Sequence, residues 1–506
     1  MATIGELLNS RAALSPGLEA LVSNGERITF LEYKQKVNQL ANYLLDLQVQ
    51  QGDRVAFLCK NTYAFPIIYL AAAKIGAIAV PINCRLKPAE VQYIVEDCQA
   101  KVLFYDEEFR DALELLPSCV EKVIRAAVGE EMDDHFKSIF QIASAAEPSA
   151  DVTERDIATI IYTSGTTGNP KGVMCTHANV YAAGLANVNT LDLRFADRFL
   201  FVTPLFHISG MMFIINALIR GFTLVLAANF TPSQLWDLID EEKITNMMSV
   251  PAMLPFMLQM LKTIDKDIFS LRGIICGGSR VPEQPIREFH DLGFSIIQVY
   301  GATEYSGAIA YFLPEMDLNR CHSVGKGLYL TELKILDPLT GMECPPGEIG
   351  EIVVRGDSVF AGYWNNKEET DQVLKNGWYH TKDVGKLDEE GYLYVIDRLR
   401  DMVICGGEKV FPAQVEAVIQ QLDGVAEVAV IGVADPVWGE LPRAYVVKAE
   451  GASLTEEEVL DHTRQNLADY KLIDVEFIAE LPKNSMGKTL KYVLRAHANG
   501  TKLTNV

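Results

Sequence analysis

The sequence predicts an α/β protein: a large N-terminal region of parallel sheets flanked by helices, then a small β region, then a compact α+β domain. Two patterns and one length predict this. Up to about residue 330, short apolar runs alternate with helical stripes, and such βα alternation implies parallel strands with crossover helices on their faces. From about Leu333 the texture turns to short strands separated by Gly, Pro and Asp turns. A chain of 506 residues with 49% hydrophobic content is too long for one core and calls for two or more domains.

The elements follow in order. Val37, Leu40, Ala41, Leu44 and Leu47 recur at helical spacing, and an apolar run at 55–58 follows as a strand. The pattern then predicts a helix at 66–75, a strand at 77–80, a helix at 89–99 and a strand at 102–105. Later strands are expected at 199–203, 222–227, 244–250, 273–276 and 296–300. The small β region takes strands at 333–336, 349–355 and 392–396. A charged connector, Asp-Arg-Leu-Arg-Asp at 397–401, interrupts the pattern and places a domain boundary at Arg400. Beyond it the spacing predicts a helix at 412–421, strands at 427–432 and 444–448, a helix at 455–467 and a strand at 475–479.

Composition narrows the function. A formal net charge of −22 argues against nucleic acid as a partner, because phosphate backbones demand a basic face. A bound nucleotide would then be held by local donors and Mg²⁺ rather than by a global field. Residues 1–10 carry charge early and lack the long apolar core of a signal peptide. The apolar stretch 64–82 is broken by Lys74, Gly76 and Pro81, short of the roughly 18 residues a membrane span needs. Nine cysteines without a CxxC pair read as reduced thiols of a cytoplasmic protein without structural zinc.

Residues 163–172 read Thr-Ser-Gly-Thr-Thr-Gly-Asn-Pro-Lys-Gly and follow an apolar run at 157–162 that reads as a buried strand. Backbone N–H groups freed by Gly165 and Gly168, the hydroxyls of Thr163, Ser164, Thr166 and Thr167, and the ammonium of Lys171 are what a triphosphate needs for a cradle. The loop is not a Walker P-loop, since Lys171 is flanked by Pro170 and Gly172. Gly487-Lys488-Thr489 fails the same test, with Pro482 where the first glycine belongs.

The loop resembles the phosphate-binding signature of the adenylate-forming superfamily, which includes acyl-CoA synthetases, adenylation domains of nonribosomal peptide synthetases and firefly luciferase. Further motifs appear in the family's order and span most of the chain. They are Pro204-Leu205-Phe206-His207, Gly277-Gly278-Ser279, Tyr300-Gly301-Ala302-Thr303-Glu304, Trp378-Tyr379-His380-Thr381-Lys382-Asp383, Asp397-Arg398, Cys405-Gly406-Gly407-Glu408, and Pro482 to Lys488. The resemblance implies an N-terminal AMP-binding domain, 1–399, with a small β-barrel subdomain at about 331–399. A small mobile α+β domain, 400–506, would turn about a hinge at Arg400, where Asp or Lys is usual. The lysine motif reads Ser-Met-Gly-Lys, with a Met that the family more often lacks.

The resemblance also implies roles. His207 would line the carboxylate pocket. Gly277, Gly278 and Ser279 would pack against adenine, where glycine permits close approach to a flat ring. Tyr300 would stack near the base, with Gly301 and Ala302 beside it. Thr303 would hydrogen-bond the α-phosphate, and Glu304 would help to bind Mg²⁺, a hard cation that prefers carboxylate and phosphate oxygen. Asp383 would accept both ribose hydroxyls, and Arg398 would reach ribose and phosphate. Lys488 would offset the negative charge that builds up in adenylation. Cys405, Gly406, Gly407 and Glu408 would border the pantetheine tunnel, Cys405 as a buried small residue.

The implied reaction has two half-steps. A carboxylate attacks the α-phosphate of Mg·ATP to give acyl-AMP and pyrophosphate; the thiol of coenzyme A then displaces AMP. An amino-acid-activating domain carries an Asp just after the His207 region, whereas 208–213 here read Ile-Ser-Gly-Met-Met-Phe. Ile208, Met211, Gly277, Ala302 and Ala308 would give an apolar pocket, which favours a medium- or long-chain fatty acid. An aryl acid such as a cinnamate or o-succinylbenzoate is the alternative, and an acyl-binding homologue without catalysis a remoter one. Luciferase-like oxygenation ranks last. Oligomeric state is not legible, with a homodimer left open.

Overall fold

The computed structural model describes residues 1–116, 118–128, 131–163, 170–228, 231–261, 266–338, 340–405, 408–472, 474–483 and 489–499. Two compact units divide the chain, Met1–Leu333 with Val354–His380, and Lys334–Val353 with Thr381–Val506. This line differs from the one expected at Arg400, because residues 334–353 and 381–399 group with the C-terminal residues. The cause is local. The Asp397 carboxylate accepts the Ala413 N–H at 2.9 Å, and Val384, Leu399, Met402 and Phe411 line one small apolar cavity with Pro338 and Ile349.

Two sheets build the first unit. Among the described residues, one has nine strands in the order Lys326–Gly327, Gly307–Phe312, Ser295–Ala302, Gly273–Gly277, Asn246–Ser249, Arg198–Phe201, Thr223–Leu226, Glu19–Ser23, Glu26–Thr29. The other has eight, in the order Gly362–Tyr363, Lys171–Thr176, Ile157–Thr163, Ile78–Pro81, Arg54–Leu58, Ala100–Asp106, Lys122–Val128, Glu131–Met132. Their central strands run parallel, as the βα alternation predicts, and are apolar because both faces are covered. Antiparallel pairs finish the sheets, including Ser295–Ala302 with Gly307–Phe312 and Ile157–Thr163 with Lys171–Thr176.

The helices follow from local chemistry. Helix Phe30–Asp46 opens on a capping box in which Thr29 and Glu32 satisfy each other's backbone donors. Val37, Leu40, Ala41 and Leu44 form its fully buried stripe, and each Leu or Val contributes about 1.5–3 kcal/mol by leaving water. Helix Ala64–Lys74 is buried on every side, and its Lys74 ammonium is neutralised by Glu147 Oε1 at 2.8 Å. Among the described residues no helix is long and apolar enough to cross a membrane.

A further sheet, five-stranded among the described residues, orders Glu332–Leu336, Gly350–Arg355, Trp378–Leu387 and Leu374–Lys375, with Leu393–Arg398 also on Trp378–Leu387. The C-terminal sheet orders Glu408–Val410, Val403–Cys405, Gly439–Lys448 and Val425–Asp435, and Asp474–Phe477 pairs parallel with Gly439–Lys448. Val415, Ile419 and Val459 of two helices pack on one face of it; Leu494 of helix Lys491–Ala498 packs on the other, against Ile431 and Tyr445.

Candidate active site

The motifs of the first unit gather where parallel strands end, the edge at which open α/β sheets take ligands. Gly277 closes its strand opposite Val299; a Cβ on it would stand 2.3 Å from Val299 Cγ1 and 2.7 Å from Val299 O. Only glycine fits. Gly278 then turns to φ +88 with nothing within 4 Å of a virtual Cβ, so the chain opens an unobstructed backbone face beside exposed Ser279.

The adjacent strand carries Tyr300, Gly301 and Ala302. A bulge after Tyr300 sets Gly301 opposite Ala308, where a Cβ would meet Gly307 O at 2.3 Å. Thr303 and Glu304 sit half-buried in the following turn, which reverses at Ser306 with φ +53. Glu304 is held twice. Its carbonyl accepts from Phe360 N at 2.9 Å, and its Oε1 accepts from the Tyr363 hydroxyl at 2.8 Å.

Thr163 and Lys171 face each other at the base of an antiparallel hairpin. Ser164, Gly165, Thr166, Thr167 and Gly168 lie outside the described residues. Lys171 Nζ lies 2.8 Å from Glu369 Oε1 and 5.7 Å from the Tyr363 ring centroid. The hairpin is braced from below, where Tyr162 donates to the Asp97 carboxylate and Trp364 Nε1 to Asp97 O at 3.1 Å. Burial foremost pushes the Tyr162 pKa up, which keeps this donor protonated.

His207 occupies the N-cap position of helix Ile208–Arg220 without a side-chain capping bond. Its Nε2 is buried and has no hydrogen-bond partner among the described residues. Desolvation, followed by the positive charge of Arg85, pushes its pKa down to about 4. The ring is therefore neutral at pH 7. The preceding loop is clamped by buried Asn61, whose Nδ2 donates to Thr203 O at 2.8 Å while its Oδ1 accepts from Leu205 N at 2.9 Å. Gly210 closes on Leu205, which leaves a virtual Cβ only 2.4 Å from Leu205 O. Met211 and Ala308 are buried, and Ile208 and Ala302 half-buried.

The second unit holds the remaining motifs. Asp383 and Arg398 are cross-strand neighbours, with Arg398 Nε 2.6 Å from Asp383 Oδ1. Arg398, expected in a connector, is the last residue of its strand. Cys405 pairs with Glu408 across Gly406 and Gly407, which lie outside the described residues. Cys405 is buried, and burial, then Asp435, pushes its thiol pKa up; it is not poised as a nucleophile. Arg400 lies in the short turn Leu399–Asp401, whose Asp401 is bound by Arg495 Nη2 at 2.6 Å. Lys488 lies outside the described residues; a β-bridge from Lys483 to Thr489 and a bond from Leu490 N to Pro482 O at 2.8 Å close its flanks.

Sequence reasoning missed Asn61, Tyr363 and Glu369. Each acts on residues far away in the chain, and none stands in a motif that marks it. It also passed over Val437 and Trp438, 80% and 55% exposed at the tip of the hairpin whose Gly439 pairs with Cys405.

A family model described as AMP-binding enzyme matches residues 8–364, and a second, AMP-binding enzyme C-terminal domain, matches residues 414–488. The chain belongs to the AMP-binding enzyme family. This AMP-binding enzyme is 38% identical over 501 residues to the putative acyl-CoA ligase YdaB of Bacillus subtilis (strain 168), covering 98% of this chain and 99% of that one. It is 37% identical over 510 residues to the long-chain-fatty-acid–CoA ligase FadD13 of Mycobacterium tuberculosis, covering 99% of each. It is 35% identical over 487 residues to the feruloyl-CoA synthase of Amycolatopsis sp, covering 96% and 97%. The solved o-succinylbenzoate CoA synthetase of Bacillus subtilis, in complex with an acyl-adenylate intermediate, superposes with a TM-score of 0.86 at 32% identity, covering 98% of each chain. The AMP-binding enzyme is thus an AMP-forming acyl-CoA ligase that takes a carboxylic acid, ATP and coenzyme A.

Proposed function

We propose that this ligase activates a medium- or long-chain fatty acid. The observation that carries the reading is the apolar character of the helix after His207. Met211 is buried, Ile208 half-buried, and no acid stands in 208–213 to hold an ammonium group. A neutral His207 adds no fixed cation to attract a second carboxylate. The 37% identity to a long-chain-fatty-acid–CoA ligase supports the same choice. An aryl acid is the second reading, supported by small Ala302 and Ala308 and by the feruloyl-CoA synthase relative. A panel of acids assayed for CoA-dependent AMP formation tests both. Octanoate to palmitate should outperform acetate, malonate, alanine and ferulate; faster turnover of ferulate would select the second reading, and of alanine neither.

Roles follow on this reading. The loop from Thr163 to Gly168 cradles the phosphates with Lys171 at its base. Gly277, Gly278, Ser279 and Tyr300 to Ala302 face adenine, and Thr303 holds the α-phosphate. Mg²⁺ fits Glu304, whose carboxylate is oriented by the Tyr363 hydroxyl at 2.8 Å, because Mg²⁺ commonly takes one or two carboxylates plus nucleotide phosphates. Bound there, Mg²⁺ would neutralise phosphate charge. Asp383 and Arg398 take the ribose, Lys488 serves adenylation, and Cys405 to Glu408 border the coenzyme A path. The domains 1–399 and 400–506 turn about Arg400 between half-reactions. A cytoplasmic location completes the proposal.

A further inference from the structure

The segment 360–370 touches both ends of the candidate nucleotide site. Its Trp364 N–H donates to Gly172 O at 2.7 Å, next to Lys171. Its Phe360 N–H and Tyr363 hydroxyl hold the carbonyl and carboxylate of Glu304. Glu369 binds the Lys171 ammonium, and the two side chains are only 18% and 11% exposed, so the pair is largely withdrawn from water. The segment is itself locked. Asn366 Oδ1 accepts from Glu369 N at 3.1 Å, Thr370 Oγ1 accepts from Tyr363 N at 2.9 Å, and the Tyr363 ring packs edge-on to Phe360 at 5.0 Å.

We propose that Glu369 and Tyr363 are positioning residues of the nucleotide site: Glu369 fixes the Lys171 ammonium at the base of the phosphate loop, and Tyr363 ties that anchor to the Glu304 carboxylate. The inference rests on reading residues 163–172 as the triphosphate site. Lys171 opens a strand of one sheet and Glu304 follows a strand end of the other. One short segment sets the spacing of the two groups, which must match the spacing of phosphates and metal. Lys171 then acts on ATP as a held charge rather than a searching one, which lowers the ordering cost at binding.

Glu369→Gln, Glu369→Asp and Tyr363→Phe test this, with ATP affinity measured by calorimetry without the acid alongside steady-state kinetics. Losing a hydrogen bond to a charged group predicts a rise of about tenfold or more in ATP KM and ATP Kd together for Glu369→Gln. The acid KM and the kcat at saturating ATP should stay within about twofold, because neither group touches the acid or the reacting atoms. Glu369→Asp should recover much of the loss. Tyr363→Phe should raise the Mg²⁺ concentration for half-maximal ATP binding. ATP KM and Kd unchanged in Glu369→Gln, or an equal rise in the acid KM, would overturn the proposal. Should Glu369→Gln fail to fold, Tyr363→Phe removes a single hydroxyl, and an unchanged Mg²⁺ requirement overturns it equally. Failure of the underlying reading looks different: the unmodified protein would then bind no ATP and release no pyrophosphate.

Discussion

Arg398 and Asp383 form an unequal pair: the carboxylate side chain is 6% exposed and the guanidinium 47%. Removing each partner should therefore have unequal consequences. Arg398→Ala takes the cation from a desolvated carboxylate and should cost about 1–2 kcal/mol, discounted for the exposed partner. Asp383→Asn keeps the shape, leaves a guanidinium that water can solvate, and should cost less. Urea unfolding at pH 7 compares them; an Asp383→Asn variant less stable than Arg398→Ala would contradict the asymmetry. Both should raise the ATP KM if the ribose binds here.

Asn61 clamps the Thr203–Leu205 backbone on the sheet that carries His207, although it comes from the loop after Arg54–Leu58 in the other sheet. Asn61→Ala leaves a buried carbonyl and a buried N–H without this partner and should cost about 2 kcal/mol. Its kinetic mark should be a rise in the acid KM larger than any rise in the ATP KM, since the loop leads into His207. Equal changes in both constants would show that the clamp does not orient the acid site.

His177 is fully buried, accepts from the Ile4 N–H through Nδ1 at 3.2 Å, and has its pKa pushed down from 6.5 to about 4, chiefly by desolvation. Its folded pKa lies below its unfolded one. The stability it contributes is thus fully present above pH 6.5 and is lost as pH falls towards 4. The loss amounts to roughly 3 kcal/mol at most, and His207 shifts the same way over the same window. Chemical unfolding at stepped pH should show His177→Asn, which keeps an acceptor, losing about half of this slope. A slope identical to that of the unmodified protein would place the titration elsewhere.

Legibility differed by the range of the interaction. Val37, Leu40, Ala41 and Leu44 announce their helix because burial and spacing are both local, and Tyr300 to Glu304 announce a strand end for the same reason. Helix Ile208–Arg220 escaped because it is so rich in apolar residues that few polar ones set off its stripe; nine of its thirteen residues are buried. Helix Lys491–Ala498 escaped because it buries only Leu494 among the described residues. The hairpin strands Val425–Asp435 and Gly439–Lys448 run beyond their expected limits because they pair with each other past the point where apolar alternation fades. Glu369 could not be read at all: a glutamate in the first turn of a short helix looks like a dipole partner until Lys171 stands beside it.

The proposed hinge at Arg400 yields the most discriminating pair of variants. Lys488→Ala should slow adenylation by roughly 10²–10³ through loss of one well-placed donor. It should still transfer a pre-made acyl-AMP to coenzyme A, because Lys488 is swung away in that half-step on the proposed rotation. Arg400→Pro should do the reverse, since it fixes φ in a connector that must turn on the proposed rotation. The bond from Ala413 N to the Asp397 carboxylate spans this point and can hold the connector folded while the turn is blocked. Circular dichroism and a urea midpoint close to that of the unmodified protein establish that each variant is folded. Single-turnover assays of pyrophosphate release and of thioester formation then separate the two half-reactions. Equal slowing of both by either variant would mean that one fixed arrangement of the chain serves both steps, and the rotation about Arg400 would have to be abandoned even with the overall reaction intact.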